Sequence, residues 1–171
     1  MGYFITAEGV VEVPVADEAA AVAALKALNH DHGMKRGGSF GYKQPSDPYE
    51  SKWYSWMPPR YHEDENLRTV GDVLGMLGFG VTCNTKGGIN TYTVNYDDKT
   101  GQESVFLNTI SKYGRVSITV RGEDGAMWRW HNAHIGKPLV EQEADVKWVD
   151  ARTVEDALAQ EREWYKRPAF A

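Results

Sequence analysis

Residues 115–121 alternate cleanly: Val116, Ile118 and Val120 face one way, and Ser117, Thr119 and Arg121 face the other. A period of two marks a strand with one buried face. The same logic predicts a strand or tight hairpin over 3–13, built on Phe4, Ile5, Val10, Val11 and Val13. Glu8-Gly9 is where a turn would fall, and Pro14 ends the run. Strands are predicted over 80–85 and 89–96, joined at Lys86-Gly87-Gly88, because a glycine pair tolerates the positive φ of a tight hairpin turn. After Gly122-Glu123-Asp124-Gly125 comes a strand with Trp128 and Trp130 on one face and Met127, Arg129 and His131 on the other. A further strand is expected over 139–149.

Elsewhere the apolar spacing is helical. Asp17 is placed to cap a helix running to about His30, with Ala19, Val22, Leu25 and Leu28 on one stripe and Gly33 as the stop. Thr69 and Asp72 stand at capping-box spacing before Val70, Val73, Leu74 and Leu77, and Gly78 follows as terminator. Thr100 with Glu103 gives a second such box, ahead of Val105, Phe106, Thr109, Ile110 and Tyr113. Thr153 and Asp156 open a last helix to about Lys166. The echo between Arg68-Thr69-Val70 and Arg152-Thr153-Val154 follows from shared capping chemistry. Together these elements predict one α+β domain over 1–171, with a mainly antiparallel sheet and helices packed on one face.

Residues 34–62 fit neither period. They hold four of the seven prolines and seven aromatic rings: Phe40, Tyr42, Tyr49, Trp53, Tyr54, Trp56 and Tyr61. Five cations against Asp47 and Glu50 give this insert a charge of +3 in a chain of net −5, so the remainder carries −8. A long irregular segment in a compact domain is usually functional, and so many rings argue for order, with a short strand near 52–57. The acidic balance argues against generic nucleic-acid binding. Cys83 stands alone, which excludes an internal disulfide framework, and a core position is expected for it. No apolar run is long enough for a membrane span, and the cytoplasm is the expected compartment.

No motif fixes a chemistry. Gly37-Gly38-Ser39-Phe40-Gly41 matches G-x-S-x-G without the strand-to-helix turn that exposes a nucleophilic serine. Asp98-Lys99-Thr100-Gly101 is accounted for by helix capping. His30-Asp31-His32 looks ligand-like, yet on a helix these two imidazoles point apart. A metal would need His30, His62 and an acid from Glu63-Asp64-Glu65 to converge. Lys35 and Arg36 precede glycines whose amides can approach a phosphate.

Ser55-Trp56-Met57, Met76-Leu77-Gly78-Phe79, the run from Tyr96 to Glu103 and the run from Arg121 to Trp130 resemble small uncharacterised proteins encoded by phages and plasmids of high-GC bacteria. The resemblance covers residues 52–149 and leaves 1–50 outside. It implies context, since such accessory proteins often bind and redirect host or host-defence components. The leading expectation is a non-enzymatic protein that binds a host protein through Trp53, Tyr54, Trp56 and Arg60, with no cofactor and no resident metal. A small-molecule or nucleotide binder or sponge, using Lys35 and Arg36, is the alternative. A metal-dependent hydrolase or nuclease is the third reading, and a homodimer through the aromatic surface stays open.

Overall fold

The computed structural model describes residues 2–38 and 46–144. Strand β1 (Phe4–Pro14) leads straight into helix α1 (Val15–Ala27), and a 3₁₀ turn at Leu28–His30 follows. The insert contributes β2 (Gly37–Gly38), α2 (Pro48–Ser51), β3 (Lys52–Trp53) and a 3₁₀ turn at Tyr61–Glu63. Then come α3 (Val70–Met76), β4 (Gly80–Lys86), β5 (Ile89–Lys99), α4 (Glu103–Ile110), β6 (Arg115–Gly122), β7 (Met127–His131) and β8 (Val140–Glu143). Six strands form one sheet in the order β4-β5-β1-β6-β7-β8, with every neighbouring pair antiparallel. The architecture is α+β.

β1 lies at the centre of the sheet and is continuous through Glu8-Gly9, so the tight-hairpin alternative is wrong. Gly9 faces the strand backbone of Ser117 and Ile118 so closely that a Cβ would collide with it, which makes it a close-approach glycine instead of a turn residue. One sheet face carries Ile5, Ala7, Val11, Val13, Tyr92, Val94, Tyr96, Val116, Ile118 and Val120, all buried. Against them pack Ala21, Val22 and Leu25 of α1, Val70, Val73 and Leu74 of α3, and Phe106, Leu107 and Ile110 of α4. The opposite face presents Thr6, Glu8, Thr93, Asn95, Ser117, Thr119 and Arg121 to solvent. That is the polar-out pattern of an antiparallel sheet covered on one side.

The turn at Gly87-Gly88 has φ values of 60° and 77°, as the glycine pair requires. α3 has its capping box complete: Asp72 N–H donates to Thr69 Oγ1 at 3.0 Å and Thr69 N–H to Asp72 Oδ2 at 2.8 Å. Gly78 ends that helix with φ 101°. Three local expectations need correction. α1 starts at Val15 with Pro14 as its N-cap, so Asp17 lies inside the first turn. The buried stripe of α1 is Glu18, Ala21, Val22 and Leu25, while Ala19 is exposed. Gln102, not Thr100, occupies the N-cap position of α4 and makes no side-chain cap bond, although Glu103 still accepts from Thr100 Oγ1 at 3.2 Å.

Glu18 rotates the stripe because its carboxylate has three partners inside. It accepts from Val70 N–H (2.6 Å), Tyr92 Oη (2.6 Å) and Asn90 Nδ2 (3.0 Å), tying α1 to the start of α3 and to β5. A buried charge is tolerated where its lone pairs are taken up in this way. Cys83 is exposed, not a core thiol, because β4 is an edge strand. β8 ends at Glu143, short of the predicted Val149; the end of that expected strand and the helix at 153–166 lie outside the described residues.

Candidate functional site

The insert is fixed to the body mainly by polar pins. Gln102, buried at the start of α4, reaches into it three ways. Its Oε1 accepts from Arg36 N–H (2.9 Å) and from Ser55 N–H (3.4 Å), and its Nε2 donates to Met34 O (2.7 Å). On the other side Tyr61 Oη donates to Leu25 O (2.9 Å), Lys26 Nζ to Asp64 O (2.7 Å) and Asn29 Nδ2 to Pro59 O (2.9 Å). Tyr54, Met57 and Tyr61 complete the attachment by entering the core, where Tyr54 and Tyr61 both meet the Phe106 ring. Burial pushes both phenol pKa values up.

The four predicted contacts therefore have different fates. Tyr54 is wholly buried and has no surface to offer a partner. Trp53 is half-buried and lies on Gly37, where a Cβ would come within 2.7 Å of the indole. Arg60 is exposed and held by two carboxylates, Asp47 and Glu63. Trp56 is 47% exposed, its backbone has φ 72°, and it is the one non-glycine residue with positive φ among those described. Its indole sits over Gly101, where a Cβ would come within 2.5 Å of the ring. A bulky side chain in the left-handed region costs about 1–3 kcal/mol and persists only where the surroundings impose it.

The chain from Trp56 to Arg60 thus forms a ridge: Trp56, Pro58, Pro59 and Arg60 face outward while Met57 anchors it from below. Beside it runs a groove of about 570 Å³ with Pro58, Pro59, Tyr61 and Met76 as its apolar lining. Its charged lining is Glu50, Glu63, Asp64 and Arg60, with Arg60 paired to Glu63. Near Gln102, Met34 is 51% exposed.

Lys35 and Arg36 part company. Arg36 is exposed, whereas Lys35 is only 5% exposed. The glycines after them do not cradle a phosphate: Gly37 and Gly38 pair with Trp53 and Lys52, and the Trp53 ring covers Gly37. Ser39 and Gly41 lie outside the described residues.

Three of the five histidines, His30, His32 and His62, gather around one ring, because α1 and its 3₁₀ extension stop at His30 and leave His32 free to turn back. Tyr49 is the hub. Its hydroxyl lies 2.7 Å from His30 Nδ1, and its ring lies 4.8 Å from both the His32 and the His62 rings. Lys35 Nζ sits 4.9 Å over the same ring. His32 and His62 titrate below the ordinary histidine range, first through burial and then through neighbouring Lys35 and His30. His62 Nε2 is 3.6 Å from Glu63 Oε1, yet among the described residues no three His, Cys, Asp or Glu side chains are arranged to hold a metal ion.

Set against known protein families, curated proteins and solved structures, the chain matches none. No helix among the described residues is long and apolar enough to cross a membrane.

Proposed function

We propose that this protein is a non-catalytic binding module that docks onto another protein through the Trp56–Arg60 ridge and its groove. One observation carries the reading: an indole held half-exposed on a strained backbone and packed on a glycine. Binding hot spots are enriched in tryptophan and arginine, and an anchor already fixed in place loses little freedom on docking. Arg60, clamped by Asp47 and Glu63, is fixed in the same sense. The groove's apolar lining favours a segment that inserts an apolar side chain. The resemblance to phage and plasmid accessory proteins makes a host-cell or host-defence protein the expected owner of that segment.

Capture from a host lysate should be run with the wild type, Trp56→Ala and a control on the open sheet face, Thr93→Arg. The expected result is a partner retained by the wild type and by the control, and reduced at least tenfold by Trp56→Ala. Equal retention by all three, or no specific partner, contradicts the proposal.

A further inference from the structure

We infer that Lys35, with the imidazoles and phenol around it, forms a binding site for a phosphate dianion, free or as a monoester. The inference rests on an observation other than the docking ridge: a buried ammonium with no carboxylate in ion-pair contact among the described residues. Lys35 is 5% exposed and, among the described residues, donates to one partner, His32 Nδ1, at 3.2 Å. No carboxylate among the described residues lies within ion-pair distance of it. Asp31, whose charge acts on it, accepts from Gly33 N–H at 3.1 Å. The neighbouring cation, Arg60, is already satisfied by Asp47 and Glu63. Asp31 acts on the ammonium without an ion-pair contact and the Tyr49 ring lies against it, so no counter-charge among the described residues touches it.

The proton positions follow from the donors. A lysine ammonium can only donate, so His32 Nδ1 accepts and the His32 proton is on Nε2. Among the described residues, two further N–H groups of Lys35 have no acceptor. Asn29 Nδ2 lies 2.6 Å from His62 Nδ1, which places the His62 proton on Nε2 as well. His62 Nε2 faces Glu63, so the donors the cluster offers are those of Lys35 and His32 Nε2, beside exposed His30 and half-buried Tyr49. A tetrahedral oxyanion with several acceptor oxygens matches this set.

The test is calorimetric titration of the whole chain with inorganic phosphate at pH 7, against chloride of equal ionic strength, with thermal unfolding measured in parallel. Glycerol phosphate in a second arm distinguishes a monoester from the free anion. The expected result is saturable binding and a rise in Tm for the wild type. Lys35→Met should bind at least tenfold more weakly, and its Tm without phosphate should exceed that of the wild type, because a buried charge that no counter-charge touches has gone. General salting effects of phosphate would persist in that variant, so it also serves as the control. His32→Gln should fold and bind several-fold more weakly. No saturable binding by the wild type, unchanged binding by Lys35→Met, or a Lys35→Met chain that fails to fold would overturn the inference.

Discussion

Val11, Leu25, Leu74 and Phe106 belong to one core with no exposed area, held chiefly by apolar packing with the Glu18 carboxylate as its polar tie. The insert, by contrast, gives that core Tyr54, Met57 and Tyr61 and is otherwise held by bonds from Gln102 and Asn29 to its backbone, with Lys26 holding Asp64 just beyond its end. Apolar burial scales with area and resists small changes, while a pin of one side chain to two or three backbone groups is local and can fail alone. The body is thus built to persist. The insert is built to hold particular side chains, Trp56 above all, in positions that free chain would not choose.

The largest effect should come from the residue that serves both regions. Phe106→Ala removes the ring against which Tyr54 and Tyr61 pack, and urea unfolding should show a loss of about 3–5 kcal/mol with both regions unfolding together. Gln102→Ala separates them. It strands the amides of Arg36 and Ser55 and the carbonyl of Met34, and should cost about 1–3 kcal/mol. Hydrogen exchange should then quicken at Arg36 and Ser55 while β1 stays protected.

A smaller effect isolates the strain at Trp56. Trp56→Gly should be more stable than Trp56→Ala by about 1 kcal/mol, because glycine accepts φ 72° and alanine does not. Both variants should lose the partner alike. If Ala proves as stable as Gly, the left-handed backbone is not imposed on this residue.

The mildest break is acid. His32 and His62 titrate below the usual range in the folded protein, so the unfolded chain takes up protons first. Their contribution is complete above the ordinary histidine pKa of about 6.5 and is lost as pH falls through the lowered folded values. Unfolding followed from pH 7.5 to 5 should show this loss, and His32→Gln with His62→Gln should flatten it.

The strands and their facing were legible because period-two alternation is written into residues such as Val116, Ile118 and Val120, and α3 was legible because its cap, stripe and stop coincide. Thr100 misled by register: its hydroxyl does meet Glu103, but Gln102 takes the capping position. Glu8-Gly9 misled because a close-approach glycine and a turn glycine look the same without the partner strand. Within the candidate site, Trp56 and Arg60 were legible as ring and cation in an irregular segment. Tyr54 was not separable from them, since burial in such a segment follows no period. The roles of Gln102, Asn29 and Tyr49 left no local signal, because each depends on residues between 13 and 68 positions away.

Hydroxyl-radical footprinting of the native protein, read by mass spectrometry at Trp53, Trp56, Trp128 and Trp130, tests the exposed anchor most directly. The expected order has Trp56 oxidised fastest and Trp130, 3% exposed, slowest, with Trp56 alone strongly protected once partner is added. A Trp56 as protected as Trp130 before any partner is present would contradict the account.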